Sequence, residues 1–267
     1  MDFQNKIVVV TGAGSGMGRE LALQLLQRGA KVAAVDLSAA GLEGTRAAAS
    51  SSQELATFTL DVSDLAAVQA LVASVQERFG AVDALINCAG IIQPFVKLNE
   101  LELDAIDRVF NVNFRGTLYM TKAFLPVLLQ RPEAHIVNIA SMGGFLPVPG
   151  QTLYGSSKAA VKLLTEGLYA ELLDTRVHVT VVFPGAIATD ITKNSGVAIP
   201  LAAAQSKQFK QYPAKDAARD ILDGAERNAY RVLVGRDAKL LDLLYRLAPE
   251  RATRLIAKQM QALLAKS

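Results

Sequence analysis

A doubly wound α/β sheet, parallel and covered by helices on both faces, is the fold class the sequence predicts, and three observations predict it. Residues 7–10, IVVV, form a β-branched run with no polar alternation, as suits a strand buried on both faces. The glycine-rich TGAGSGMG of residues 11–18 follows directly and opens a helical pattern over residues 19–28. A second apolar run, residues 31–35, then ends on an acid, Asp36.

The same rhythm continues downstream. Further strands are predicted at residues 56–60, 82–86, 135–139, 177–183 and 231–234, with helices near 42–51, 65–79, 103–129, 152–173 and 215–228. About seven strands joined by mostly helical crossovers fit one sheet. The chain has 267 residues, 51% apolar and 20% charged, which suits a single large domain spanning 1–267. No linker rich in Ser, Pro or Gly divides it.

Residues 189–213 break the rhythm, with no clear strand, Gly196 and Pro200 inside, and a short helix predicted over 201–209. The excursion over 190–213 follows the carboxyl end of a strand, where open α/β sheets bind ligands. It reads either as a substrate lid or as a surface insertion without a role.

Composition excludes several classes. A net charge of +3 gives no electrostatic case for a nucleic-acid partner, and two histidines with one cysteine exclude the usual structural zinc spacings, so no metal is expected. Cys88 has no partner for an internal disulfide, which favours a reducing compartment. Its place after a buried strand reads as a small core side chain. The first residues lack a basic segment followed by a signal-length apolar run, and no stretch reaches roughly 18 apolar residues. A soluble cytoplasmic protein without a transmembrane segment is expected.

The chemistry is carried by Tyr154 and Lys158 in YGSSK, with Ser141 thirteen residues upstream. Positions i and i+4 share one helix face, so a phenol and an ammonium converge. A phenol near pKa ~10 transfers protons poorly at neutral pH. A cation at about 4 Å favours the phenolate by only ~1 kcal/mol in water but ~4 kcal/mol at an effective dielectric near 20. The pair therefore requires a partly dehydrated roof.

Gly12, Gly16 and Gly18 permit a tight turn and close approach of a pyrophosphate to a helix N-terminus, and no Lys-Ser/Thr follows to make a triphosphate loop. Asp36 stands twenty residues beyond Gly16, where a carboxylate accepts both ribose hydroxyls of adenosine and repels a 2'-phosphate. Leu37 next to it supplies no offsetting cation, so NAD is expected over NADP. A turn or helix-capping acid is the plain alternative for Asp36, and Arg19 reads as a solvated or sheet-edge residue. Ser15 and Met17 complete the turn.

With TGAGSGMG, Asp61-Val62, NCAG at residues 87–90, Asn113, Ser141, YGSSK and PGAIAT at 184–189, the chain resembles the short-chain dehydrogenase/reductases. The motifs run from residue 11 to 189 in family order. The resemblance implies a Rossmann-like fold and hydride transfer between NAD(H) and a secondary alcohol or ketone. It places Asp61 and Val62 at the adenine, Asn87 between the central strands, and Ala89 and Gly90 beside the cofactor. Pro184, Gly185, Ile187 and Thr189 would stand near the nicotinamide, with Thr189 bonding its carboxamide. Asn113 resembles the catalytic asparagine whose backbone holds a water linking the lysine to solvent, with Asn111 the position most easily confused with it. Tyr154 would exchange the proton, Lys158 would favour the phenolate and grip the ribose, and Ser141 would orient the reacting oxygen.

The resemblance also places Gln93, Phe95, Met142, Gly143, Phe145, Leu146, Gln151, Leu153 and the lid around the substrate. Residues 142–146 form an apolar wall with no fixed acid or arginine pair, which favours an apolar alcohol or ketone. Lys193 and Lys207 keep an anionic group open. The family commonly forms dimers or tetramers through helices corresponding to 103–129 and 152–173. Beyond residue 235 a helical extension, 236–267, places Leu255, Ile256, Met260, Leu263 and Leu264 near one face. That face packs on its own domain, on a sister subunit, or against a membrane surface. An NAD(H)-binding regulatory or scaffold protein without turnover is the alternative function.

Overall fold

Nine strands are present in the computed structural model, which describes residues 1–49, 54–197 and 211–260. They are β1 (Ile7–Thr11), β2 (Lys31–Asp36), β3 (Leu55–Thr59), β4 (Ala84–Asn87), β5 (Ala134–Ile139), β6 (Val177–Pro184), β7 (Ile187–Ala188), β8 (Tyr212–Pro213) and β9 (Arg231–Val234). Seven of them pair in parallel as one sheet in the order β3-β2-β1-β4-β5-β6-β9, while β7 and β8 form a separate two-residue pair. The chain builds outward from β1 through β3 and then returns to lay β4 on the other side of β1. That reversal opens a crevice at the carboxyl ends of β1 and β4.

The helices are α1 (Gly16–Gln27), α2 (Ala39–Ala48), α3 (Leu65–Phe79), α4 (Leu103–Phe110), α5 (Thr117–Leu128), α6 (Thr152–Glu171), α7 (Ile191–Asn194), α8 (Ala214–Glu226), α9 (Arg236–Leu247) and α10 (Pro249–Gln259). Successive strand residues point to opposite faces, and here both faces are covered. Val8, Val10, Val32, Ala34 and Ile86 pack with Leu21, Leu25, Ile221 and Leu222 of α1 and α8. Val9, Ala33, Val35, Leu85 and Ile136 pack with Val68, Leu71, Met120 and Phe124 of α3 and α5. Continuous apolar runs in the sequence are the result. Local chemistry sets the ends: Asp64 accepts the Ala66 and Ala67 amides at the start of α3, and Gly80 ends it at φ 84°.

Three expectations change. The helix expected over 103–129 is interrupted by a π turn, Asn111–Gly116, between α4 and α5. A π turn inserts a residue into the ladder and re-aims its side chains, and Asn113 lies within it. The excursion after β6 contains a strand after all, because Tyr212 donates to the Ala186 carbonyl and pairs β8 with β7. The helix expected at 201–209 lies outside the described residues. In the tail, Ala252 and Ile256 pack on Leu146 together with Met142, Phe145, Val148 and Tyr245, so the extension covers its own domain. Leu255 points elsewhere and is exposed, and Leu263 and Leu264 lie outside the described residues. Among the described residues, no helix is long and apolar enough to cross a membrane.

Candidate active site

A cleft of about 490 Å³ lies at the β1/β4 reversal, lined by the turn after β1, the ends of β2 and β3, the loop after β4, and α7. The expected Gly12, Ser15, Gly16, Met17, Gly18, Asp36, Leu37, Asp61, Val62, Ala89, Gly90 and Thr189 all line it. Asn87, Tyr154, Lys158, Pro184, Gly185 and Ile187 do not. Asn87 turns into the sheet and donates to Asn138 (2.8 Å) and Thr121 (3.1 Å), tying β4 to β5 and α5. Ala186 donates to Asp237 of α9 at 2.8 Å, which fixes the segment leading from Pro184 to Thr189.

Gly18 shows why this turn is made of glycine. A β carbon there would stand 2.0 Å from the Gly12 carbonyl oxygen, and one at Gly12 would stand 2.9 Å from the Ala89 Cα, so no side chain fits. The α1 N-terminus carries no side-chain cap, and its free amides face the cleft. Ser15, the capping position, instead accepts from Asn194 at 2.8 Å, which draws α7 across the turn.

The Asp36 carboxylate accepts the Gly14 and Ser38 amides, each at 2.8 Å. Its turn-forming role is thus real and coexists with a carboxylate on the cleft wall. Arg19 departs from expectation. It lines the cleft and is engaged with the Gly14 and Gly41 carbonyls and the Thr45 hydroxyl, bracing the turn to α2. Cys88 also lines the cleft, and burial pushes its thiol up to about 12, which argues against a nucleophile. Sequence reasoning misses Gly14 and Ile91. Only Gly14, in TGAG, carried a readable signal.

At the other end, Gly90 brings two expected residues together. A β carbon on it would lie 3.2 Å from both Asn113 Oδ1 and Lys158 Nζ. Asn113 is fully buried, accepts the Ile91 amide at 2.8 Å, and donates to the Ile91 carbonyl (2.9 Å) and to Ser157 Oγ (3.0 Å). Asn111 is half-buried and receives Arg115 at 3.0 Å. Lys158 donates to the Ile139 carbonyl at 2.9 Å.

Ser141, Gly143 and Tyr154 stand together. Ser141 Oγ accepts the Gly143 amide at 3.0 Å, and a β carbon on Gly143 would stand 3.5 Å from the Tyr154 ring. Burial acts on the Tyr154 phenol and holds it above the ordinary value, and the Ser141 hydrogen bond only partly reverses this. Burial also lowers Lys158 to about 8. Both shifts disfavour the charged forms, because two groups are desolvated before any ligand supplies compensating polar contacts.

Gln93 and Gln151 are buried and spend their side chains on the protein. Gln93 Oε1 accepts the Leu153 (2.7 Å) and Tyr154 (3.0 Å) amides, and Gln151 Nε2 donates to the Gln93 carbonyl at 2.8 Å. These bonds support the start of α6 and leave Gln93 Nε2 and Gln151 Oε1 without a partner among the described residues. Phe145 packs on Phe183 and Tyr245, with ring centroids 5.5 and 6.4 Å apart, and Met142 joins the same apolar cluster under α10.

A family model described as short chain dehydrogenase matches residues 6–198. The chain belongs to the short-chain dehydrogenases. SadH of Mycobacterium tuberculosis, a provisionally named oxidoreductase, is 38% identical over 263 residues, covering 96% of this chain and 95% of its own. A short-chain dehydrogenase/reductase of Burkholderia phymatum in complex with NAD superposes with TM-score 0.83 at 30% identity, covering 94% of this chain and 96% of its own. A short-chain dehydrogenase of Burkholderia cenocepacia in complex with NADP superposes with TM-score 0.80 at 25% identity, covering 96% and 99%. As a short-chain dehydrogenase this protein is an oxidoreductase with a nicotinamide-nucleotide site, and the uncapped α1 terminus and side-chain-free turn fit that group.

Proposed function

We propose that this short-chain dehydrogenase moves a hydride between NAD(H) and a secondary alcohol or ketone with an apolar body. The observation that carries the reading is that Ser141 hydrogen-bonds Tyr154, Lys158 Nζ reaches to Gly90, and both Tyr154 and Lys158 stand near Cys88 of the cleft. The nicotinamide supplies or takes up the hydride when bound. Tyr154 holds the proton that leaves or joins the reacting oxygen, and Ser141 fixes that oxygen's direction. Lys158 supplies positive charge beside the phenol, and Asn113 holds Gly90 and Ile91 against it. The apolar Met142 and Phe145, backed by α10, favour an apolar body. The segment beginning at Asp190 acts as the lid, a role supported by the Asn194–Ser15 bond.

Asp36 sets the preference for NAD. The relatives hold NAD in one case and NADP in the other, so the cleft's shape alone does not choose. The wild type should use NAD at least about 100-fold better than NADP in kcat/KM, an energy difference of about 3 kcal/mol. Asp36→Asn keeps an acceptor for Gly14 but removes the charge, and should cut that preference roughly tenfold. A wild-type preference for NADPH would overturn the assignment.

Leu240, Leu243 and Leu247 form an exposed stripe on α9, and Leu163 and Leu173 stand exposed on and just beyond α6. These surfaces support a homo-oligomer. Sedimentation should find a dimer or tetramer, and a monomer at micromolar concentration would contradict it.

A further inference from the structure

We propose that Gln93 is a positioning residue that holds the general acid/base Tyr154 through its backbone. This rests on the assignment of Tyr154 as the proton-transfer group. The α6 helix begins at Thr152, and its own flanking residue, Gln151, supplies no side-chain cap. The first amides of a helix need partners from elsewhere. Gln93, about sixty residues earlier in the chain, supplies one oxygen to both Leu153 and Tyr154. The amide cannot be turned over, because its NH₂ group would then face two N–H donors.

The Tyr154 peptide is held on its other side as well. Ser157 Oγ donates to the Tyr154 carbonyl at 2.7 Å and receives Asn113 at 3.0 Å. The loop that carries Gln93 is itself pinned at each preceding residue. Ile91 is clamped by Asn113, and the Ile92 amide donates to Ser195 Oγ at 3.0 Å, while Arg108 holds the Ser195 carbonyl at 2.8 Å. Gln93 is completely buried, and its Nε2 and the Gln151 Oε1 have no partner among the described residues. Leaving two buried polar atoms unpaired is costly, and the bonds these side chains do make offset that cost.

Gln93 is uncharged, and that matters for a phenol that must ionise. The ionisable group acting on Tyr154 is Cys88 from the loop after β4, which also acts on Lys158, one turn along the same helix. An acceptor with a negative charge in Gln93's place would preserve the cap yet oppose the phenolate.

Two substitutions separate positioning from general support. Gln93→Met removes the acceptor at similar volume and should lower kcat about tenfold with the Kd for NADH unchanged. Gln93→Glu keeps the acceptor and should move the titration of Tyr154 to higher pH. That titration is read both from the pH profile of alcohol oxidation and from the ultraviolet phenolate difference between each protein and its Tyr154→Phe counterpart. Wild-type Tyr154 titration in Gln93→Glu, or a Gln93→Met protein altered only in melting temperature, would overturn the proposal. The ultraviolet titration needs no turnover, so a wild type that binds NADH without turning over would contradict the functional reading while the titration still decides the role of Gln93.

Discussion

Replacing Tyr154 with Phe should lower turnover by about 10²- to 10⁴-fold, the range expected when a positioned acid/base is lost. The substitution removes one oxygen from a ring held between Ser141 and Gly143, so packing is conserved. NADH affinity should stay within a few-fold of wild type, because Tyr154 is not among the residues that line the cleft with Asp36 and the glycine turn. Fluorescence titration of NADH beside steady-state kinetics checks both halves. A variant losing affinity and turnover together would point to a role in binding rather than in proton transfer.

Lys158→Met should have opposite effects on activity and stability. Turnover should fall by about 10²-fold or more, since the phenol loses its neighbouring cation. The unliganded protein, however, should become more stable by roughly 1–3 kcal/mol at neutral pH. The sign follows from Lys158 titrating at about 8 in the fold against 10.5 in an unfolded chain. Between those values the unfolded chain holds a proton that the folded one has released, so the burial penalty is fully present below about pH 8 and fades toward 10.5. Methionine never carries that penalty, although losing the bond to the Ile139 carbonyl offsets part of the gain. Melting temperatures should therefore favour the variant at pH 7 and converge with wild type as the pH approaches 10.5. A variant less stable than wild type at pH 7 would show that Lys158 is well compensated before any ligand binds.

The sheet was legible because covering both of its faces leaves an unbroken apolar signature, as in β1 and β2. Tyr154, Lys158 and the glycine turn were legible because each depends on spacing within one element. What escaped the sequence depends on contacts between distant elements. Gln93 could be placed near the pocket, but its grip on α6 requires knowing where the loop after β4 ends. Asn111 and Asn113 share a π turn that no local periodicity announces, although the spacing to Gly116 already favoured Asn113. Arg19 looked solvated because nothing in its own helix shows that Gly14, Gly41 and Thr45 converge on it. Tyr154's resistance to ionisation is likewise a property of burial, invisible in YGSSK itself.

The most direct test of the central claim is the rate of NADH formation from NAD and a panel of apolar secondary alcohols, followed by absorbance for wild type and Tyr154→Phe side by side. Hydride transfer at this site predicts NADH formation by the wild type with at least one alcohol and its near-complete loss in the variant. Tight NADH binding by both proteins with no turnover by either across a broad panel, in both reaction directions, would contradict it and favour a nucleotide-binding regulatory protein.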